Sequence, residues 1–452
     1  MRSPLFAGKL AAFTCALALA ACGGGASEAP PQTPAAVAPP PAMSPGGVAT
    51  SPDGQQFAVS DAPTSGESGA DRPRMNAAAQ QAYRAGLQAF QAGDLNTAKD
   101  QFTRATQADE SAYQAHYSLG VVQERLGAPG AAGNAYKRAI AVVPDYEPAI
   151  FAHAVLLARS GQPDEAEQFL QQKQAKMPKS AAVLAALAEV KSVQGDSGAA
   201  QRFAQEALKR NPDYRPAMVV MARDHYRNRR LDLSLYTLKG ILDGFGAENP
   251  PRDPNNAEAR LIRGLIYKEQ GLRKPAMDEL SKALELRPDM VEARVHLGGF
   301  LLEAGNAQAA AQLLEGAVRY DNDHVLAHLN LGDAYRLLGR SAEAKKELEW
   351  VAKKEPSLAP VHYNLGLLYL FNENIPGVAP KAAADKAIAA FEQYQKLKPR
   401  GGGPDDTEEL ITRAKTKKAL IEAKEAEQAS QAAPAPAGGD STGSMPPAGG
   451  AH

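Results

Sequence analysis

The chain has 452 residues, with 50 Lys and Arg against 51 Asp and Glu, a formal net charge of −1 and a pI near 6.7. This balance excludes the basic excess that nucleic-acid-binding proteins normally show. Hydrophobic residues make up 44% of the chain, which is too many for a wholly disordered protein. The 33 prolines and 39 glycines exceed average usage, so their distribution along the chain is informative.

The first 21 residues have the pattern of a secretory signal peptide. Arg2 and Lys9 form a basic start, and the apolar stretch over residues 10–21 is too short to span a bilayer. It ends in Leu19-Ala20-Ala21-Cys22, which resembles the lipobox of bacterial lipoproteins. That resemblance implies cleavage before Cys22 and acylation of its sulfur, for example with palmitate. The alternative is an ordinary secretory signal that is cleaved nearby.

The residues around Cys22 also bear on location and thiol chemistry. Cys15 lies in the segment that would be removed and Cys22 would carry lipid, so no thiol would remain for a disulfide or a metal site. Gly23 is not the Asp that retains lipoproteins in the inner membrane in enterobacterial sorting. The resemblance therefore implies a lipid-anchored protein of the outer membrane that faces the periplasm.

Two segments have a composition typical of disorder. Residues 22–78 contain the acylated Cys followed by a Pro/Ala/Gly-rich tether, and residues 431–452 form a second segment rich in Pro, Ala and Gly. Both contain few large apolar residues and cannot offset the entropy of ordering the chain. We expect a disordered N-terminal tether and a disordered C-terminal tail.

Between these segments the sequence repeats with a period of 34 residues. Position 8 and position 20 of each repeat are small, position 24 is usually large and apolar, and position 32 is often proline. Small residues let two helices approach closely, and proline ends the second helix because it lacks an N–H group. The repeats begin at residues 79, 113, 147, 181, 215, 257, 291, 325 and 359.

This pattern resembles the tetratricopeptide repeat. Leu119-Gly120 with Ala132, Tyr136 and Pro144 carries the likeness in one repeat. The resemblance implies an all-α fold, a right-handed superhelical solenoid of nine helix pairs. Stacked repeats also need a polar cap, which the helix predicted over residues 404–430 would supply.

The predicted domains follow from this register. Residues 79–248 hold repeats 1 to 5, residues 249–256 form an insertion loop, and residues 257–403 hold repeats 6 to 9. The insertion either marks a bend between two sub-arrays or is a tolerated surface loop, and the sequence leaves both open.

The chain lacks the motifs of common enzymes. It has no Gly-rich phosphate loop, no His-Glu-x-x-His and no nucleophile elbow. His324 and His328 lie four residues apart on one helix and could share a metal ion, but position 4 of these repeats is expected to be a packing site. We therefore predict no enzyme activity, no cofactor, no metal and no small-molecule substrate.

The resemblance implies a concave groove lined by the first helix of each repeat, at positions 2, 5, 9, 12 and 13. We expect a partner segment to bind there, with an acidic group over the arginines of repeat 5. The alternative is that the aromatic residues pack against neighbouring helices and the arginines form a solvated face. The candidate partner-binding residues are Tyr83, Phe90, Tyr117, Phe151, Arg223, Tyr226, Arg227 and Tyr363.

Taken together, these features predict a non-enzymatic protein–protein interaction scaffold anchored to the outer membrane. The layout is similar to repeat lipoproteins of envelope machines, such as those of myxobacterial adventurous gliding motility and the pilotins of pilus secretins. The scaffold would assemble a machine of the motility, pilus or secretion type with other envelope proteins. The alternative is an adaptor that docks and regulates peptidoglycan hydrolases or proteases in the periplasm.

Overall fold

The computed structural model describes residues 48–50, 56–58, 72–372, 374–398 and 406–432. The signal peptide, the lipidation residue Cys22, most of the tether and residues 433–452 lie outside the described residues. Two three-residue strands, β1 (Val48–Thr50) and β2 (Gln56–Ala58), pair in antiparallel fashion within the segment predicted as a tether. The sequence analysis did not anticipate this hairpin, although Pro52, Asp53 and Gly54 between the strands are turn-forming residues.

The remainder is helical and consists of nine antiparallel pairs followed by a single helix, as predicted. The first helices of the pairs are α1 (Ala77–Gln91), α3 (Tyr113–Arg125), α5 (Glu147–Arg159), α7 (Ala181–Val193), α9 (Arg215–Arg227), α11 (Ala257–Glu269), α13 (Val291–Glu303), α15 (Val325–Leu337) and α17 (Ala359–Phe371). The second helices are α2 (Leu95–Ala108), α4 (Pro129–Val142), α6 (Pro163–Lys176), α8 (Ser197–Arg210), α10 (Leu231–Leu242), α12 (Arg273–Leu286), α14 (Ala307–Tyr320), α16 (Ser341–Lys354) and α18 (Pro380–Leu397). The single helix is α19 (Thr407–Ala432).

In most repeats a small residue at position 8 faces a large residue at position 24. A Cβ atom on Gly120 would lie 2.5 Å from the ring of Tyr136, and the same relation holds between Gly366 and Phe391, which takes position 24 of repeat 9 when nine extra residues in its internal turn are allowed for. Tyr136 and Phe391 are at most 1% exposed, so these contacts form the centres of their pairs. Close packing of this kind explains why the small residues recur every 34 positions.

In repeats 1 to 8 the turn between the two helices has a residue with left-handed backbone conformation at position 15. Glycine occupies this position in most repeats, for example Gly93 with φ 77° and Gly161 with φ 84°. In repeat 5 the same position holds Arg229, which has φ 60°. Because a side chain is disfavoured in this conformation, repeat 5 departs from the pattern at its turn as well as at its insertion.

In several repeats a His or Arg at position 4 links the first helix to the turn before it. His116 Nε2 lies 3.0 Å from the carbonyl oxygen of Glu110, His328 Nε2 lies 2.9 Å from that of Asn322, and Arg294 Nε lies 2.7 Å from that of Pro288. The histidines therefore donate hydrogen bonds to the backbone six residues earlier, which adds to the packing role that we expected. Among the described residues, no group of three or more His, Cys, Asp or Glu could hold a metal ion.

The described residues divide into two compact units, with the boundary between Ala334 and Tyr335 inside α15. The N-terminal unit contains the insertion, where Gly246 and Asn249 form an isolated β-bridge. In the C-terminal unit, α19 packs against α18 with Leu410 and Ile411 buried, and Lys417 Nζ donates to the carbonyl of Leu370 at 2.6 Å. This arrangement matches the predicted capping helix. No helix in the described part of the chain is both long and apolar enough to cross a membrane.

Candidate partner-binding groove

Eight charged residues of the N-terminal unit form a continuous set of ion pairs, which we call the groove network. Six of them occupy positions 2, 9 or 13 of a first helix, where the repeat register places groove-facing residues. The other two follow α12 in the turn before α13. The members are Arg125, Arg159, Glu189, Arg223, Arg227, Glu258, Arg287 and Asp289.

Glu189 lies at the centre of this network. Its side chain is fully buried, and its carboxylate lies 3.0 Å from Arg223, 3.1 Å from Arg227 and 3.3 Å from Arg159. Burial alone would raise the pKa of this carboxyl group, but the three guanidinium groups lower it well below its ordinary value. Glu189 therefore remains ionised and joins repeats 3, 4 and 5.

Glu258 and Asp289 extend the network along the array. Glu258 pairs with Arg223 at 2.5 Å and with Arg287 at 3.7 Å, and it holds a pKa of about 2 because these cations outweigh the cost of its burial. Asp289 lies 3.2 Å from Arg287 and 3.4 Å from Arg125. The pair between Arg125 and Asp289 connects α3 with a turn 164 residues later in the chain.

A backbone contact accompanies this long-range ion pair. Gly127 has φ 71°, and a Cβ atom there would lie 2.8 Å from the carbonyl oxygen of Tyr320. Leu126 packs in the same hydrophobic cluster as Tyr320. The turn between α3 and α4 is thus packed against the end of α14 within the N-terminal unit.

These contacts change the interpretation of Arg223 and Arg227. The side chain of Arg223 is 14% exposed and is paired with both Glu189 and Glu258, so it is neutralised by the chain itself. Arg227 pairs with Glu189 and donates to Ser192 Oγ at 3.0 Å, with 27% of its side chain exposed. The sequence predicts an acidic group of a partner over these two arginines, and carboxylates of the chain itself already pair with both.

Two of the candidate aromatic residues, Tyr117 and Phe151, are buried in the hydrophobic core. Tyr117 is 3% exposed and packs against Tyr136 and Tyr146, at centroid distances of 5.9 Å and 5.7 Å. Phe151 is 9% exposed and belongs to a hydrophobic cluster that includes residues of α5, α6 and α7. For these two residues the structure agrees with the alternative that the aromatic side chains pack against neighbouring helices.

Tyr83 and Phe90 are only half-buried in α1. The hydroxyl of Tyr83 accepts a hydrogen bond of 3.5 Å from Ser118 Oγ, and burial raises its pKa. The guanidinium carbon of Arg125 lies 4.5 Å from the centroid of the Phe90 ring. This cation–π contact joins the aromatic positions of repeat 1 to the groove network.

Tyr226 and Tyr363 are also half-buried, and each hydroxyl has an acidic partner. Tyr226 donates to Glu269 at 2.9 Å, and burial together with this carboxylate raises its pKa. Tyr363 donates to Asp406 at 3.0 Å, within the C-terminal unit, and its ring lies 5.2 Å from that of Tyr394. The eight candidate residues thus do not form one site, since Tyr363 lies in the other unit.

The acidic members of the groove network, Glu189, Glu258 and Asp289, were not among the residues predicted from the sequence. Glu189 is position 9 of repeat 4 and Glu258 is position 2 of repeat 6, so the register used to select Arg223 could also have found them. Arg287 and Asp289 lie outside the groove-facing positions and give no such signal. Their role depends on the packing of α3 against the α12–α13 turn.

Comparison with known families agrees with this architecture. Family profiles described as tetratricopeptide repeat match residues 83–147 and 276–325, residues 125–190 and 301–365, and residues 257–290. The helix pairs within residues 83–190 and 257–365 are tetratricopeptide repeats. None of these matches covers residues 191–256, which contain the atypical repeat 5 with Arg229 and its insertion. Tetratricopeptide-repeat proteins are in general non-catalytic scaffolds for protein–protein interaction.

Several solved structures of repeat proteins are similar to the chain. The APC/C hetero-tetramer Cut9-Hcn1 aligns with 14% identity and a TM-score of 0.48, over 74% of this chain and 76% of that one. YrrB, a repeat protein with an unusual peptide-binding site, aligns with 20% identity and a TM-score of 0.37, over 47% of this chain and 97% of its own. PilF of Pseudomonas aeruginosa aligns with 21% identity and a TM-score of 0.31, over 50% and 97%.

No curated protein matches the chain. At these TM-scores the structural likenesses do not decide a function.

Proposed function

We propose that the protein is a non-enzymatic scaffold, anchored by acylated Cys22 to the outer membrane, that assembles a cell-envelope machine in the periplasm. The observation that carries the proposal is the array of tetratricopeptide pairs, whose first helices in the N-terminal unit carry the charged side chains of the groove network. An array of this kind exposes a long surface to other proteins. The lipobox sequence Leu19-Ala20-Ala21-Cys22 supports the anchor.

The anchor is tested by the chemistry of Cys22. Cys22→Ser should abolish labelling of the protein with radioactive palmitate and should release it from the membrane fraction into the soluble periplasm. Cys15→Ser is the matched control, because this residue lies in the signal segment and should change neither labelling nor location. Palmitate labelling that persists in Cys22→Ser would contradict the lipid anchor.

The type of machine is tested by deletion of the gene. Loss of surface motility, pilus extension or secretin assembly, restored by the full-length chain, is the expected result for an assembly scaffold. A second function, an adaptor that docks peptidoglycan hydrolases or proteases, is favoured instead if deletion alters cell-wall turnover and leaves motility and secretion intact. Both functions use the same groove and differ in the partner.

A further inference from the structure

The groove network contains more cations than anions. Its ion pairs join five guanidinium groups to three carboxylates, those of Glu189, Glu258 and Asp289, among the described residues. Glu124 lies next to this network, but its carboxylate accepts a hydrogen bond from the hydroxyl of Tyr136, at 2.8 Å, and burial raises its pKa. Even with Glu124 counted, five guanidinium groups outnumber four carboxylates among these described residues.

Arg125 and Arg287 carry part of this excess. They share the carboxylate of Asp289, with Arg125 Nη1 3.4 Å from Oδ1 and Arg287 Nη2 3.2 Å from Oδ2, and Arg287 also lies 3.7 Å from Glu258. In both residues Nε is buried without a hydrogen-bond partner in the described part of the chain. Burial and the charge of Arg287 lower the pKa of Arg125 to about 10, whereas Arg223, which lies between two carboxylates, has a raised pKa.

We propose that Arg125 and Arg287 form an oxyanion-binding site that takes a carboxylate or phosphate group entering the groove. Guanidinium groups bind both anions through charge-assisted hydrogen bonds, and a buried excess of cations favours the capture of an anion. Solvent reaches both donors only in part, since the side chains of Arg125 and Arg287 are 13% and 21% exposed.

The source of the anion rests on the proposed function. A scaffold that binds protein segments would receive it as an acidic side chain of a partner. This site differs from the one predicted at Arg223 and Arg227, which are both paired with carboxylates of the chain. A free phosphate ion would use the same donors, and the experiment below separates the two sources.

The test measures the unfolding midpoint of the full chain, by circular dichroism, during titration with inorganic phosphate at constant ionic strength in chloride. A ligand that binds only the folded state raises the midpoint in a saturable way. We expect this rise in the unsubstituted chain. We expect Arg125→Met and Arg287→Met to require about tenfold more phosphate, or more, for the same rise.

Two further variants distinguish loss of the anion site from loss of folding. Asp289→Asn removes the carboxylate that the two arginines share and should lower the phosphate concentration needed for half the rise. Arg260→Met is the matched control, because Arg260 also has a buried Nε without a partner in the described residues but pairs with Glu279, outside the network. It should respond to phosphate as the unsubstituted chain does.

A second titration uses an acetylated hexaglutamate peptide in place of phosphate. Tighter binding of the peptide than of phosphate, lost in Arg125→Met, supports an acidic protein segment, and the reverse order supports a free phosphate. Equal responses of Arg125→Met, Asp289→Asn and the unsubstituted chain to both probes would overturn the site. That failure would leave the scaffold proposal intact, since the latter is tested in cells through partner capture.

Discussion

Arg223 Nη1 donates to Glu189 Oε2 at 3.0 Å, and this bond joins position 9 of repeat 5 to position 9 of repeat 4. The groove of the N-terminal unit is therefore lined by charges that belong to successive repeats and compensate one another. Removing one member leaves the others buried without compensation. The stability of neighbouring repeats should therefore depend on these buried ion pairs, whereas charged residues on a solvent-exposed groove would contribute little to it.

The first prediction concerns Glu189. Glu189→Gln should lower the free energy of unfolding by about 3–5 kcal/mol, because three arginines lose their shared, fully buried counter-charge. Urea denaturation followed by circular dichroism measures the change. The control is Glu206→Gln, which removes an exposed pair with Arg210 and should cost less than about 1 kcal/mol. Equal effects of the two substitutions would show that the network does not stabilise the fold.

The second prediction concerns pH. The folded-state pKa of Glu189 is lowered, and that of Glu258 falls to about 2, against an unfolded value near 4.3 for Glu. Because both folded values are depressed, their stabilisation is complete above about pH 5 and is lost as the pH falls toward 2. Thermal unfolding between pH 7 and pH 2 measures this loss. Glu258→Gln should flatten the profile over this range, and an unchanged profile would contradict the assignment.

The third prediction separates two glycines of repeat 2. Gly120→Ala should destabilise the protein by about 1–3 kcal/mol, since the new Cβ would lie 2.5 Å from the ring of Tyr136. Gly130→Ala, in the exposed first turn of α4, meets nothing within 4 Å and should stabilise the helix by up to about 1 kcal/mol. Thermal denaturation of the two variants side by side gives the comparison. Effects of the same sign would argue against close packing at position 8.

The fourth prediction uses the left-handed residue at position 15. Arg229→Gly should be more stable than Arg229→Ala by about 1 kcal/mol, because both lose the ion pair with Glu269 but only glycine relieves the strain at φ 60°. The converse change, Gly161→Ala, should cost about the same amount, as its φ is 84° and its surroundings are open. Chemical denaturation of the three variants is the measurement. Equal stability of the two Arg229 variants would show that the backbone at position 229 is not strained.

Much of the fold could be predicted because the packing rule of the pair is local. A small residue at Gly120 and a large one at Tyr136 meet within one repeat, so a period of 34 residues reveals them directly. The capping helix was predictable for the same reason, from the apolar positions of Leu410 and Ala414. The left-handed glycines at position 15, such as Gly161, were also visible in the sequence, although they were not used.

The candidate site was harder to predict because its contacts are not local. Arg223 was found from its register, but its neutralisation depends on Glu189 and Glu258 in the adjacent repeats. The pair between Arg125 and Asp289 requires the packing of repeat 2 against the turn after repeat 6, which no period in the sequence specifies. For Tyr117 and Phe151 the sequence left partner binding and packing between helices both open, because the register predicts which way a side chain points but not how deeply it is buried.

The central claim is that the groove binds a partner protein in the cell envelope. The most direct measurement places the photo-crosslinking residue p-benzoylphenylalanine at Tyr226 in the full-length protein, followed by irradiation of intact cells and mass spectrometry. The same residue at Tyr236, which lies on the second helix of the same repeat and is 66% exposed, is the control. We predict a discrete protein crosslinked at Tyr226 and not at Tyr236. Crosslinking at Tyr236 alone, or at neither residue, would contradict a partner in the groove.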